Sequence, residues 1–240
     1  MVDIHSHIIF DVDDGSKSLN QSIKYLDQLK KIGLNRVICT PHSKGGSIDK
    51  IVKINENYKT LAKEAKKRNI ELYLGNEIMY SDKMIRLLER NRLRTLNESN
   101  YILLEFKRSE RMEIDHIIDI LELLKENGYK VILAHPELYV NYRNIENMYR
   151  IKDTGTLLQL DATSILRNKT NKKTYKFSKK LLDEKLIDIV ASDSHCTKKR
   201  SYLSFKKAYK RIKRKYGKSY ADILFKHNPN LLVGGKIWNH

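Results

Sequence analysis

Short apolar runs alternate with amphipathic stretches along most of the chain. The runs are rich in β-branched and aliphatic residues, which is typical of buried parallel strands. In the stretches between them, apolar residues recur every three or four positions, which is typical of helices that cover a sheet. The runs predict strands at 2–7, 36–40, 71–77, 101–106, 130–135, 157–161 and 188–192. The stretches predict helices at 18–32, 48–68, 81–92, 113–127, 145–152, 173–184 and 201–216.

This alternation of strands and helices predicts the fold class. A helix between two strands returns the chain to the same end of the sheet, so the strands become parallel neighbours. Seven such units favour an α/β protein with a distorted TIM-like (β/α)7 barrel over an eight-fold one. The 240 residues contain no linker, repeat or low-complexity segment, so we expect a single domain spanning residues 1–240.

The apolar runs, the N-terminal residues and the cysteine content indicate the cellular compartment. The sequence has no apolar run long enough to cross a membrane, and residues 1–5 lack the features of a signal peptide. Cys39 and Cys196 are the two cysteines, too few for a disulfide framework, and they fit a reducing compartment. We therefore expect a cytoplasmic protein with no integral membrane segment.

The chain is strongly basic, with a formal net charge of +18. Residues 198–218 contain eleven Lys or Arg and no Asp or Glu. Tyr202, Phe205, Ala208 and Ile212 interrupt this basic run at helical spacing, which predicts an amphipathic helix with a basic outer face. A nucleic-acid footprint is the functional alternative, but a solvated face is the favoured interpretation. We expect acidic partners rather than nucleic acid.

Histidine and carboxylate residues recur at the carboxyl ends of the predicted strands. In βα barrels these ends converge on one face, where the chemistry collects. A carboxylate buried there is costly unless a cation or hydrogen-bond donors compensate it. The candidates are His5, His7, His42, Glu77, Glu105, His135, Asp193 and His195. Each alone is best explained as a hydrogen-bonded strand end, but so many together predict a polynuclear metal site.

The types of ligand narrow the choice of metal. Imidazole and carboxylate oxygen together suit borderline divalent ions such as Mn, Fe or Zn. The near absence of thiolates argues against a structural zinc cluster. This many ligands would require two or three ions that share bridging carboxylates.

Seven motifs carry a family resemblance. They are Asp3-Ile4-His5-Ser6-His7, Asp11-Val12-Asp13-Asp14-Gly15, Thr40-Pro41-His42, Gly75-Asn76-Glu77-Ile78, Leu104-Glu105-Phe106, Ala134-His135-Pro136-Glu137 and Ser192-Asp193-Ser194-His195. In this order they resemble the motifs of the polymerase and histidinol phosphatase (PHP) superfamily. The chain is more closely similar to the manganese-dependent protein-tyrosine phosphatases of Gram-positive capsule and exopolysaccharide operons. The resemblance runs from Met1 to about Arg200, includes Gln159-Leu160-Asp161-Ala162-Thr163-Ser164, and is weak beyond Arg200.

The resemblance implies a site with three metal ions, most naturally Mn²⁺. One ion would bind His5, His7, Glu77 and Asp193; a second would share Glu77 and add Glu105 and His135; a third would bind Asp14, His42 and His195. Asp14 is chosen over Asp13 because its offset from His7 matches the family. Arg200 stands at the place of the substrate-phosphate arginine.

The expected reaction is hydrolysis of phosphotyrosine by a hydroxide held between metals, without a phosphoenzyme. His42 or His195, if not fully engaged by metal, would donate a proton to the leaving phenolate. Cys39 is not expected to act as a nucleophile, because no phosphate-cradling loop surrounds it. The resemblance also implies a substrate: a membrane-associated tyrosine autokinase whose dephosphorylation regulates polysaccharide synthesis. The oligomeric state is left open.

The chain departs from the family pattern after His135-Pro136-Glu137. Relatives usually carry arginine at the next position, and this chain has Leu138. The phosphate contact that this arginine would make is therefore either absent or supplied by Lys107, Arg108 or Arg143. Lys107 itself replaces a proline that is usual in the family.

Two rival interpretations therefore stay open. The chain could be a histidinol-phosphate phosphatase or a metal-dependent nuclease of the same superfamily. It could also be a catalytically weak phosphotyrosine-binding regulator.

Overall fold

Parallel strands and their connecting helices make up most of the protein. The computed structural model describes residues 1–43, 45–108, 112–167, 171–195 and 202–234. Within those ranges there are eight strands: β1 Val2–Asp3, β2 Arg36–Cys39, β3 Glu71–Leu74, β4 Glu77–Met79, β5 Tyr101–Glu105, β6 Lys130–Ala134, β7 Leu157–Asp161 and β8 Ile189–Ala191.

Helices follow most of the strands, as predicted. The α-helices are α1 Leu19–Ile32, α2 Ile48–Lys66, α3 Met84–Glu89, α4 Ile114–Glu126, α5 Ile145–Asp153, α6 Lys172–Asp183, α7 Tyr202–Tyr216, α8 Lys218–Asp222 and α9 Asn228–Val233. Short 3₁₀ turns lie at Leu96–Glu98, Pro136–Leu138 and Val140–Tyr142, and a π-helical turn at Ile223–His227 joins α8 to α9. Local chemistry sets the ends of α1. Ser18 accepts a hydrogen bond from the backbone N–H of Gln21, and Gly33 ends the helix at a φ of 71°.

The strands close into a barrel through two seams. One sheet has the order β1-β2-β3 and the other β4-β5-β6-β7-β8, with every pair parallel. At one seam His42, beyond the end of β2, bridges Glu77 at the start of β4. At the other, Ser6 bridges Ser194, and the N–H of His7 donates to the carbonyl of Ser194 at 2.9 Å. The predicted distorted barrel is thus confirmed, with β3 and β4 occupying successive parts of one strand position.

The core divides into the barrel interior and the layer between barrel and helices. Because successive side chains of a strand point to opposite faces, Leu103 packs inside while Ile102 and Leu104 face the helices. Leu232 and Val233 of α9 join the interior cluster. Helix α9 therefore packs into the barrel's hydrophobic interior beside β1, away from the carboxyl ends of the strands.

The predicted strand 71–77 is interrupted, which is a correction to the sequence analysis. A Cβ atom at Gly75 would lie 2.8 Å from Leu96 Cδ2 and 3.2 Å from Leu96 Cα, so glycine allows the turn Leu96–Glu98 to approach the backbone closely here. The side chain of Asn76 donates to the carbonyl of Pro41 at 2.8 Å and accepts from the N–H of Arg94 at 2.9 Å. These contacts move the chain from β3 to β4 and place Glu77 at the start of the new strand.

The predicted basic helix is present as α7. Tyr202, Phe205, Ala208 and Ile212 are buried, as the spacing predicts, and the charged side chains lie toward solvent. Residues 196–201, which include Cys196, Lys198, Lys199 and Arg200, lie outside the described residues. Among the helices that are described, none is both long enough and apolar enough to cross a membrane.

Candidate metal centre

Side chains from both seams of the barrel meet in a buried cluster. His5 and His7 extend from β1 with their Nε2 atoms 3.3 Å apart, and both are fully buried. The Oε2 atom of Glu77 lies 3.2 Å from His5 Nε2 and 3.1 Å from His7 Nε2. Asp193 Oδ1 lies 3.4 Å and 3.6 Å from the same two nitrogens. These are the four residues predicted for the first metal.

The other oxygen of Glu77 faces a second group. Its Oε1 atom lies 2.8 Å from His135 Nε2, and Glu105 Oε2 lies 3.7 Å from that nitrogen. His135 has a φ of 38° and Asp193 a φ of 44°, both in the left-handed region. Such backbone costs about 1–3 kcal/mol per residue and persists where the surroundings enforce it. The fold therefore holds two candidate ligands at strained positions, one directly after β6 and the other two residues after β8.

A third group lies at the mouth of the barrel. Asp14 is exposed, and its carboxylate oxygens lie 3.7 Å from His42 Nε2 and 3.5 Å from His195 Nε2. The other nitrogen of His42 faces Glu77 at 3.4 Å and Glu105 at 3.5 Å. His42 thus connects the outer group with the inner carboxylates. The choice of Asp14 over Asp13 as a ligand stays a prediction.

The donor set fits divalent cations. Ligand atoms about 2.1 Å from a shared ion lie about 3.0 Å apart in an octahedron and about 3.4 Å apart in a tetrahedron. The distances around Glu77 Oε2 fall in that range, and the ligand atoms form four overlapping groups, each within 4.8 Å. The buried Oε1 atom of Glu105 accepts no hydrogen bond from the described residues, which leaves it available to a cation.

The electrostatic environment of the buried cluster shifts the pKa values of its residues. Burial opposes charge on His5, but the carboxylates of Glu77 and Asp193 outweigh it and raise its pKa to about 10. Burial and the neighbouring charge of Glu77 raise the pKa of Glu105 to about 7. Without metal the cluster therefore holds protons that a cation would have to displace.

Asp13 and Gln159, which were not predicted as ligands, orient two of the histidines. His7 Nδ1 lies 2.7 Å from Asp13 Oδ2, and His5 Nδ1 lies 2.8 Å from Gln159 Oε1. Each contact leaves the Nε2 atom of the ring facing the cluster, which is the usual arrangement behind a metal-binding imidazole. Asp13 Oδ2 also accepts the backbone N–H of His42 at 3.2 Å. Asp13 thus orients the ring of His7 in the first group and holds the backbone of His42 in the third group.

A buried polar chain continues behind Gln159. The Nε2 atom of Gln159 donates to Asp161 Oδ1 at 3.1 Å, and the N–H of Asp161 donates to Glu137 Oε1 at 3.1 Å. Burial and the nearby charge of Asp161 raise the pKa of Glu137 to about 8. These groups hold Gln159, and through it His5, in one orientation.

Two adjoining cavities open onto the cluster. The larger has a volume of about 700 Å³ and the smaller about 400 Å³. Five residues line both: Asp14, His42, Glu77, Met79 and Glu105. Lys107 and Arg108 are the Lys and Arg residues among the described walls of the smaller cavity. Arg143 instead lies 3.4 Å from the carbonyl of Glu137 and lines neither cavity.

Comparison with known proteins decides the family. A family model described as capsular polysaccharide synthesis, CpsB/CapC, matches residues 1–234. The chain belongs to the CpsB/CapC family. The tyrosine-protein phosphatase CpsB of Streptococcus pneumoniae is 34% identical over 244 residues, which cover 97% of this chain and 98% of that protein. The tyrosine-protein phosphatase YwqE of Bacillus subtilis is 30% identical over 241 residues, which cover 97% and 91%.

Solved structures agree with the CpsB/CapC assignment. A structure from a study of YwqE and CpsB, described as unique metal-dependent tyrosine phosphatases, matches with a TM-score of 0.86. It is 26% identical and covers 100% of this chain and 96% of its own. An organophosphorus hydrolase from Deinococcus radiodurans matches with a TM-score of 0.60 at 13% identity, covering 96% and 91%. That second likeness shows the barrel fold alone.

For this CpsB/CapC protein, the predicted family, fold and enzyme class, a metal-dependent tyrosine phosphatase, are confirmed. Cys39 is fully buried, and burial raises the pKa of its thiol, in agreement with the expectation that it is no nucleophile. The structure brings together all nine predicted ligands: His5, His7, Asp14, His42, Glu77, Glu105, His135, Asp193 and His195. Arg200 lies outside the described residues, so its predicted contact with phosphate stays a prediction.

Proposed function

We propose that the protein hydrolyses phosphotyrosine in protein substrates, with two or three divalent ions held at the carboxyl end of the barrel. The observation that carries the proposal is the convergence of the nine predicted ligands in overlapping groups beside two open cavities. The tyrosine-phosphatase names of the CpsB and YwqE relatives support the substrate class.

The proposed ligand sets follow the three groups. His5, His7, Glu77 and Asp193 would hold one ion, Glu77, Glu105 and His135 a second, and Asp14, His42 and His195 a third. The two oxygens of Glu77 face different partners, as a bridging carboxylate requires. We propose Mn²⁺ as the native metal, with Fe and Zn as competitors, because imidazole and carboxylate ligands suit all three.

Bound divalent ions in such a site lower the pKa of a water molecule toward neutrality and offset the charge of a phosphoryl group. The protein's own residues perform the remaining tasks. Lys107 and Arg108 lie where they can attract the phosphate into the smaller cavity, in place of the arginine that Leu138 replaces. Arg200 is proposed as a further phosphate contact.

Protonation of the leaving group falls to the histidines at the mouth. The side chain of His42 is 30% exposed and that of His195 is 8% exposed, whereas His5 and His7 are fully buried. A phenolate, with a conjugate acid pKa of about 10, needs only modest help to leave. His42 or His195, whichever is not fully engaged by a metal ion, can therefore supply the proton that the tyrosine product needs.

We propose that the physiological substrate is the phosphotyrosine-bearing tail of a membrane-associated tyrosine autokinase, encountered in the cytoplasm, and that its dephosphorylation regulates polysaccharide synthesis. The family description, capsular polysaccharide synthesis, supports this context. The net charge of +18 supports an acidic substrate, since each phosphotyrosine adds up to two negative charges.

Metal removal tests the proposal. Chelation should abolish turnover of a phosphotyrosine peptide, and Mn²⁺ should restore it better than Mg²⁺, because imidazole ligands disfavour the harder ion. Glu77→Ala should lose bound metal and activity together. Glu71→Ala, an exposed glutamate at the start of β3, serves as the matched control and should retain both.

Three results would contradict the proposal. They are full activity after exhaustive chelation, a Glu77→Ala protein with unchanged metal content and turnover, and preferred turnover of histidinol phosphate or single-stranded DNA. Tight binding of the phosphopeptide to the metal-loaded protein with negligible turnover would instead support a regulator.

A further inference from the structure

Met79 occupies an unusual place between two candidate metal ligands. Side chains alternate along β4, so Met79 shares a face with Glu77 while Ile78 points into the core. Its Cα is paired in register with that of Glu105 on β5. The two glutamates are buried, yet Met79 is 45% exposed and lines both cavities.

The larger cavity has both a polar and an apolar wall. Asp14 and His42 form part of its polar wall, and Met79, Leu87 and Leu93 contribute apolar surface. A phosphate ester of tyrosine has the same division, because a dianionic phosphate is joined directly to a flat apolar ring. Neighbouring parallel strands lie about 4.8 Å apart, so a ring attached to phosphate near Glu105 comes within reach of Met79.

We infer that Met79 is a specificity determinant, whose thioether side chain packs against the phenyl ring of bound phosphotyrosine and favours aryl over alkyl phosphate esters. The inference rests on the proposed phosphatase function. Methionine suits this role because its flexible, polarisable side chain makes favourable contacts with aromatic rings. Met79 contributes to binding of the ring and takes no part in the attack on phosphorus, which occurs at the metal centre.

Non-hydrolysable ligands separate ring binding from catalysis. Calorimetry would measure phenylphosphonate and methylphosphonate binding to the Mn²⁺-loaded wild type, Met79→Ala and Met79→Leu. For Met79→Ala we expect about tenfold weaker binding of phenylphosphonate and less than about twofold change for methylphosphonate, since only the former presents a ring. Met79→Leu should restore most of the preference. The ratio of kcat/KM for phosphotyrosine to that for an alkyl phosphate should shift in the same sense.

Two controls make the result specific. Leu123→Ala removes another half-exposed apolar side chain, on α4 and outside both cavities, and should change neither affinity. Metal content and thermal unfolding of each variant show whether the centre is intact.

If Met79→Ala weakens the binding of both phosphonates equally, or weakens the binding of neither, the inference is overturned. Turnover of phosphotyrosine by the wild type would still support the proposed function in that case. A wild type that neither turns over phosphotyrosine nor binds phosphonates would instead reject the proposed function.

Discussion

His5 and His7 each face the cluster with their Nε2 atom and contact a supporting residue with their Nδ1 atom. The contact at Nδ1 fixes the orientation of the ring and so the position of Nε2. For His7 the outer partner is Asp13, and for His5 it is Gln159. Asp13 is nearly buried, and hydrogen bonds from His7 and from the N–H of Gly15 hold its pKa well below the usual range despite burial. Asp13 is therefore an ionised acceptor that keeps His7 Nε2 facing Glu77.

Replacing Asp13 by asparagine should weaken metal binding. The amide keeps the size of the side chain but loses the charge that orients His7, and losses of about 10- to 100-fold in metal affinity are typical for such partners. Competition with a fluorescent chelator measures the affinity. Asp11→Asn makes the same change in the same loop, on an exposed carboxylate that pairs with Lys53 of α2, and should leave affinity unchanged. Equal affinities for the two variants would show that Asp13 does not position the ligand.

Arg108 should contribute to phosphate binding without affecting the metal. Loss of one charged hydrogen-bonding group at a partly solvated site should lower kcat/KM by about 5- to 30-fold, or about 1–2 kcal/mol. Arg108→Lys should recover only part of this, because an ammonium cannot make the paired contacts of a guanidinium. Steady-state kinetics and metal content check both statements. Arg150→Ala, on α5, removes a guanidinium that pairs with Asp115 in the first turn of α4, and a similar loss there would refute the role.

The motifs selected the candidate ligands but not the residues that orient them. His5 and His7 follow β1 and Glu77 begins β4, all within recognisable motifs, and the barrel brings them together at its carboxyl end. Gln159 comes to His5 from a strand that is distant in sequence, and only the register of β7 beside β8 places it there. Asp13 was passed over because the motif offset favoured its neighbour Asp14, and sequence spacing does not distinguish a ligand from the acceptor behind another ligand.

At the scale of elements, long-range contacts explain what the sequence did not reveal. Residues 71–77 have the composition of one strand, and the break in it depends on the close approach of Leu96 to Gly75. Helices α8 and α9 contain five and six residues, too few to show a helical period. They were therefore not predicted, although α9 contributes to the barrel interior.

The packing of α9 should be measurable. Leu232 is 2% exposed within the interior cluster, so Leu232→Ala should lower the free energy of unfolding by about 2–5 kcal/mol. Urea denaturation gives this value. Leu231→Ala, at the neighbouring and partly exposed position of the same helix, should cost markedly less. Similar costs for the two substitutions would mean that α9 does not pack into the barrel as described.

At the scale of the whole molecule, the site and the closure of the barrel are one feature. The bridge between His42 and Glu77 and the bridge between Ser6 and Ser194 join the two sheets, and candidate ligands lie in or beside both. Alternating strands and helices were sufficient to predict the barrel and its reactive end. The position of the seams was not predictable, because it depends on where the two sheets separate.

The excess positive charge of the molecule leads to a prediction about salt. Lys206, Lys210 and Lys213 lie on α7, whose apolar face packs against the rest of the protein. They can attract a multiply phosphorylated tail toward the barrel. The screening length falls from about 10 Å at 0.1 M salt to about 3 Å at 1 M, so kcat/KM should fall far more steeply with salt for such a tail than for phenyl phosphate.

Charge reversal separates this local attraction from the effect of net charge. Changing Lys206, Lys210 and Lys213 to Glu should reduce both kcat/KM on the phosphorylated tail and its dependence on salt, with phenyl phosphate little affected. Reversal of Lys59, Lys63 and Lys66, exposed on α2, alters net charge by the same amount and should have a smaller effect. Equal salt dependence for the two substrates, or equal effects of the two reversals, would show that the basic face of α7 is solvated surface without a role in substrate capture.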